Sequence, residues 1–163
     1  MEYPNRKANR LAEYDYSQPG AYFVTICAKE KRKIFSEIVG GGALDAPQSR
    51  LTQIGEIVDA YIQSTNNIPD VTVEKYVIMP NHIHMILMVK ANGGPSKAPA
   101  PTNAIIPHAI STFKRFCNRK IGENVFQRSY HDHVIRNNVD YLKVWNYIDT
   151  NPAKWEEDCF YTQ

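Results

Sequence analysis

The stretch from Val77 to Val89, Val-Ile-Met-Pro-Asn-His-Ile-His-Met-Ile-Leu-Met-Val, constrains this chain more than any other. From Met85 to Val89 apolar residues fill consecutive positions, hence both faces of a strand, and a strand covered on both faces belongs in the middle of a sheet. Pro80 cannot donate to a ladder, so Met79-Pro80-Asn81 reads as the bend between two adjacent strands. Side chains alternate between faces, so His82 and His84 lie side by side on one face while Ile83 and Met85 take the other. Two neighbouring imidazoles repel when both are protonated, but as neutral groups each offers a nitrogen lone pair. The pair is half of a candidate metal site. It also suits two ordinary half-buried histidines bonded to neighbours, and the rest of the chain has to decide.

Around this strand the remaining elements fall into place. Ala21–Ala28 is rich in β-branched and aromatic residues and follows the turn signal Gln18-Pro19-Gly20, which predicts a strand. Leu51, Ile54, Ile57, Val58, Tyr61 and Ile62 recur at helical spacing up to about Asn66, with Thr52 or Ser49 as the cap. Residues 71–79 read as a strand, and 105–120 as a helix with Ile106, Ala109, Ile110, Phe113 and Cys117 on its apolar stripe. Residues 125–136 read as short, irregular and extended. A last helix over 138–150, with Tyr141, Val144, Trp145 and Ile148 as its stripe, stops ahead of Pro152. Residues 38–47 look like a short apolar piece running into a flexible loop, and the Gly/Pro/Ala-rich 91–103 like a mobile internal linker. The order strand, helix, strand, strand, helix, strand, helix is that of a ferredoxin-like α+β fold, a split βαβ with a mainly antiparallel central sheet covered by helices.

At 163 residues the chain is read as one domain, 1–163. No apolar run approaches the roughly 20 residues of a membrane span. The opening residues lack a secretory apolar stretch, and Cys27, Cys117 and Cys159 are scattered and odd in number, which points to a reducing cytosol. A net charge of +2 is modest for a nucleic-acid binder. The basic residues are clustered, however, at Arg6-Lys7-Arg10, at Lys29-Lys31-Arg32-Lys33 and at Lys114-Arg115-Arg119-Lys120, with aromatics nearby. Such clusters suit a groove that tracks phosphates and stacks bases.

The last helix sets Tyr147 and Asn151 four positions apart, on one face. Met79–Ile86 with its two histidines, then Phe126–Asn137, then Tyr147-Ile148-Asp149-Thr150-Asn151-Pro152, together with the Tyr22–Thr25 strand, resemble the HUH single-tyrosine transposases, most of all the REP-associated branch. The resemblance implies that His82 and His84 bind a divalent cation, Mg²⁺ or Mn²⁺, that Asn151 holds the position of a third, amide-bearing ligand, and that Tyr147 is the nucleophile. It further implies an endonuclease and strand transferase that nicks and rejoins single-stranded DNA, with hairpin repeats as substrate, in a cytoplasmic, nucleoid-associated protein acting as a monomer or a homodimer.

The chemistry is sound on its own terms. A cation polarises the scissile phosphate, and a phenol that attacks it keeps the ester's energy in a covalent 5′-phosphotyrosyl link for rejoining. No dedicated base for the phenol is evident. Arg32, Lys114, Arg115, Arg128, His131 and Arg136 are the expected contacts to substrate phosphates. His131 and His133 share a strand face and form a rival metal pair with Asp132 or Asp140. Two other readings remain: a non-catalytic single-strand binder on an RRM-like sheet, and a zinc hydrolase whose third ligand, Glu74 or Asp149, would have to approach the histidines.

Overall fold

In the computed structural model, residues 14–16, 18–91 and 105–163 are described. The expected linker 91–103, apart from Ala91, and the Arg6-Lys7-Arg10 cluster lie outside them. Four strands form the central sheet: β1 (Gly20–Cys27), β4 (Val71–Ile78), β5 (His82–Val89) and β6 (His131–Ile135), in the order β4-β5-β1-β6 with every pair antiparallel. With helices α1 (Gln53–Ser64) and α2 (Ile105–Ile121) inserted between β1 and β4 and between β5 and β6, this is the ferredoxin-like split βαβ. The histidine strand β5 is interior, as its two-sided apolar pattern requires. It meets β4 through a tight turn closed by the Met79 N–H donating to the His82 carbonyl at 2.8 Å.

The alternation of β1 and β5 sorts the molecule into layers. Tyr22, Val24, Ile26, Ile83, Met85 and Leu87 point to one face, where Val58 and Ile62 of α1 and the stripe Ile106, Ala109, Ile110, Phe113 and Cys117 of α2 complete the larger core. On the opposite face Ala21 and Ile86 pack with Ile135 and with Val144 and Ile148 of α3 (Asn138–Thr150). The paired histidines share this second face, so α3 arrives on the side of the sheet that carries them. Thr52 caps α1, its hydroxyl accepting from the Gly55 N–H at 3.0 Å, and Asn137 caps α3 in the same way toward Asp140.

A bulge in β4 between Val73 and Lys75 sets the seat of α3. The extra residue turns Lys75 to the α3 face, opposite Ile86. There its ammonium lies 4.1 Å from the centre of the Trp145 ring and 2.5 Å from Asp149, both on α3. At 18% side-chain exposure the cation is partly withdrawn from water, where a cation–π contact is worth roughly 1–2 kcal/mol.

One segment differs from the sequence expectation. Residues 38–47 do not simply run into a loop: Ile38 and Val39 end β2 (Ser36–Val39), which pairs with β3 (Gln48–Leu51) in a separate two-stranded hairpin. Its strands are only four residues long, and the hairpin is held from outside, by Ser36 and Ser49 hydroxyls both on the Ile78 carbonyl. No local alternation advertises such an arrangement. Residues 125–136, by contrast, contain the short strand expected there, β6, whose backbone partner β1 lies about a hundred residues away in sequence.

Gly55, in the first turn of α1, packs against the Phe35 carbonyl so closely that an added Cβ would collide with that oxygen. The Phe35 carbonyl also accepts from the Thr52 N–H at 3.0 Å, so it has little freedom to retreat. Gly55→Ala is expected to lower unfolding free energy by about 3 kcal/mol, the upper end of overpacking costs, as read from the urea midpoint at unchanged slope.

Candidate active site

Four elements converge on the α3 side of β5. The strand supplies His82 and His84, which are 0% and 1% exposed, with ring centres 4.4 Å apart. The stripe of α3 that buries Val144 and Ile148 continues to Tyr147 and to Asn151, the last being 2% exposed at the helix end. The Tyr147 hydroxyl lies 3.3 Å from His84 Nε2, on the same chain. Beyond Asn151 a 3₁₀ segment, Pro152–Glu157, bends the chain back, so that Asp158 and Phe160 close over the histidines.

Asp158 was not expected from the sequence, and it is central to the site. Its Oδ2 accepts from the Tyr147 hydroxyl at 3.1 Å and from the Asn151 amide at 2.7 Å, and lies 3.8 Å and 3.9 Å from Nε2 of His82 and His84. Neither Glu74 nor Asp149 approaches the pair: Glu74 is exposed at the β4 bulge and Asp149 is engaged by Lys75. The one cue to Asp158 was its place among Trp155, Phe160 and Tyr161 after a proline-led turn, because only a folded-back aromatic segment needs so much apolar surface there. Among the described residues, His82, His84 and Asp158 are the one group of His, Cys, Asp and Glu side chains gathered closely enough to hold a metal ion.

The outer nitrogens of both imidazoles are occupied. His82 Nδ1 meets Asn81 Oδ1 at 2.8 Å and His84 Nδ1 meets Thr25 Oγ1 at 2.7 Å. Their Nε2 atoms point inward. His82 Nε2 and Asn151 Oδ1 are both buried without a hydrogen-bond partner among the described residues. With the His82 proton on Nδ1, facing the Asn81 oxygen, Nε2 and the Asn151 oxygen are both acceptors and cannot satisfy one another, and two buried acceptors beside a carboxylate are a donor set suited to a cation. The residues present therefore fit a divalent metal.

Electrostatics agrees with that fit. Burial, together with the neighbouring His84, pushes His82 down from the usual 6.5 to about 3, and burial likewise lowers His84 against the opposing pull of Asp158. Both imidazoles are thus neutral at pH 7, the state in which a histidine can bind a metal. Burial works against the Asp158 charge, but bonds from His84, the Phe160 N–H and Asn151 outweigh it and hold the carboxyl well below the usual range. Burial and the Asp158 charge push the Tyr147 phenol above its ordinary value.

The expected DNA contacts are scattered. His131 lies in the same cross-strand row as Thr25 and His84, exposed, with its ring 6.1 Å from that of Phe160. Arg128 and Arg136 are also exposed, Arg136 just past the end of β6. Arg115 sits on α2, in the layer behind the sheet, over the Phe116 ring. Arg32 is bonded to Glu123 at 3.4 Å. Lys114 is not the open phosphate contact that was expected. Its ammonium turns inward to the carbonyls of Gln127, Arg128 and Ser129, and burial pushes it down to about 8, so it shapes the loop that presents Arg128. In place of a rival metal pair, His133 bonds Asp140 at 2.8 Å while His131 faces Phe160.

Comparison with known proteins agrees with this architecture. A family profile described as "Transposase IS200 like" matches residues 18–151. A Haemophilus influenzae protein of uncharacterized function is 33% identical over 177 aligned positions, which cover 96% of this chain and 93% of the relative. A second protein of that organism, a candidate REP-associated tyrosine transposase, is 25% identical over 146 positions, covering 86% of this chain and 74% of its own. The solved structure of a REP-associated tyrosine transposase bound to a REP hairpin superposes with a TM-score of 0.63 at 19% identity, covering 89% of this chain and 74% of that one, and shares its fold. The chain belongs to the IS200-like transposase family of DNA-processing enzymes. No helix among the described residues is long and apolar enough to cross a membrane.

Because the folded chain refuses protons on His82 and His84 that the unfolded chain accepts, stability should fall as pH drops from 6.5 toward 3 and be fully present above about 7. The slope from each histidine is at most about 1.4 kcal/mol per pH unit. Urea midpoints measured across that range should decline in the wild type and decline less in His82→Gln.

Proposed function

We propose that the protein is a metal-dependent transposase that nicks and rejoins single-stranded DNA through a covalent 5′-phosphotyrosine on Tyr147. The observation that carries this reading is the hydroxyl of Tyr147 standing beside two neutral imidazole nitrogens, an unpartnered amide oxygen and an ionised carboxylate in one buried cluster. His82, His84, Asp158 and Asn151 would hold the ion. A bound Mg²⁺ or Mn²⁺ supplies positive charge that offsets Asp158, polarises the scissile phosphate and lowers the cost of a phenolate.

The chain's own residues do the rest. Helix α3 and the Asp158 hydrogen bond orient the phenol oxygen, which forms a bond to phosphorus as the bond from phosphorus to the 3′-oxygen breaks. The phenolic proton leaves along the bond to Asp158 and on to solvent, and the departing 3′-oxygen takes a proton to become a hydroxyl. Attack of a 3′-hydroxyl on the phosphotyrosine reverses the sequence and reseals the strand. Phe23, 6.0 Å from the Tyr147 ring and 5.3 Å from His84, packs edge-on against the phenol and keeps it over the histidines.

Single-stranded DNA with hairpin repeats is the substrate class proposed, supported by the fold shared with a transposase bound to a REP hairpin. Arg128, His131 and Arg136 are exposed on the strand β6 side and suit its phosphates. An RRM-like binder is less well supported, since α3 lies across the sheet face that such a protein leaves open for bases.

Labelled single-stranded oligonucleotides incubated with the wild type and Mg²⁺ should yield a protein–DNA adduct that survives denaturing electrophoresis. Tyr147→Phe should reduce it by at least about 10³-fold. An adduct that persists in the variant refutes Tyr147 as the nucleophile, and cleavage that survives chelation removes the metal from the mechanism.

A further inference from the structure

Four hydrogen-bonding groups on the outer side of the histidine pair form a chain whose directions can be worked out one after another. It begins at the Phe160 carbonyl, which can only accept. Asn81 Nδ2 donates to that carbonyl at 2.8 Å, and this contact decides which way the Asn81 amide faces. If the amide were turned over, its oxygen would meet the carbonyl oxygen with no proton between them. Asn81 is 1% exposed, so water cannot relieve such a contact. The Asn81 oxygen is thereby aimed at His82 Nδ1, 2.8 Å away, and it too can only accept. Nδ1 must therefore carry the proton, and Nε2 is left with its lone pair pointing into the site.

We propose that Asn81 is a positioning residue that holds His82 in the Nδ1–H tautomer, and that the backbone of the C-terminal segment, through the Phe160 carbonyl, sets Asn81. The inference rests on the metal-site reading for its purpose, but its structural content concerns the metal-free protein. It accounts for the buried, partnerless Nε2 of His82, which a protonated Nε2 could relieve by donating to the equally partnerless Asn151 oxygen. The lock forgoes that bond and keeps a ligand lone pair available instead. It also gives a reason for an amide in the turn before β5: Ser offers the wrong reach, and Asp could accept from His82 but not donate to Phe160.

His84 is held differently. Its Nδ1 meets Thr25 Oγ1, and a hydroxyl both donates and accepts, so Thr25 tolerates either tautomer by rotating its hydrogen. His84 Nε2 faces the Tyr147 hydroxyl and Asp158, groups with which a proton can be shared. One imidazole is thus committed as a ligand, and the other retains freedom beside the nucleophile.

The test is direct observation of imidazole nitrogens by two-dimensional ¹H–¹⁵N NMR on the metal-free full chain at neutral pH, with Mn²⁺ affinity read separately by the free-ion EPR signal. In the wild type, His82 should show a protonated-type Nδ1 and a bare Nε2. Asn81→Leu should abolish that pattern and weaken Mn²⁺ binding by about 10- to 100-fold, the usual effect of losing such a partner. Asn81→Asp retains an acceptor for His82 and should keep the Nδ1–H pattern, with Mn²⁺ binding stronger than in the leucine variant. A wild-type His82 protonated on Nε2 overturns the proposal without need of any variant, as does an unchanged pattern in Asn81→Leu. If the tautomer behaves as stated but the wild type binds no Mn²⁺, the lock stands and the metal reading falls.

Discussion

Burial of two imidazoles on the central strand is the constraint to which the rest of the molecule answers. Stripped of water, His82 and His84 are neutral, and each needs a hydrogen-bond partner for one nitrogen while the other is directed inward. Thr25 from β1 and Asn81 from the turn meet the outer nitrogens. What remains is an inward-facing concentration of lone pairs that only a cation or a set of donors can satisfy. Tyr147, Asn151 and Asp158 surround it, and Phe160 closes it with its ring 4.7 Å from that of His82.

Position on α3 follows from the sheet and not from the helix itself. The β4 bulge turns Lys75 toward Trp145 and Asp149, and the Val144 and Ile148 stripe beds on Ile86 and Ala21. With the helix so seated, Tyr147 and Asn151 have little choice of neighbour. The phenol stays 38% exposed even though its oxygen is bonded inside the cluster, so a substrate can reach the face of the site that the protein does not cover.

Most of the fold was legible because its signals are periodic and local. Strands β1, β4 and β5, all three helices, the Thr52 cap and the apolar stripe of α2 come from alternation, spacing and end signals that short windows contain. The β2–β3 hairpin was harder. Its strands are short and partly exposed, and it is held by two serine hydroxyls on a carbonyl of β4, so nothing in its own window distinguishes it from a loop. Lys114 misled for a related reason: a lysine in a basic cluster reads as a solvated cation, yet its ammonium is spent on three backbone carbonyls.

The sequence by itself determined that two imidazoles share a face, that a tyrosine and an asparagine lie one turn apart on a late helix, and that an antiparallel sheet carries the first pair, because residue spacing within a regular element fixes direction. Tertiary structure alone decided that both pairs occupy one cluster, that Asp158 completes it, and that Phe160 orients Asn81. Those residues sit on an irregular segment that bends back after Pro152, where direction is set by what the chain packs against and no periodicity exists to announce it.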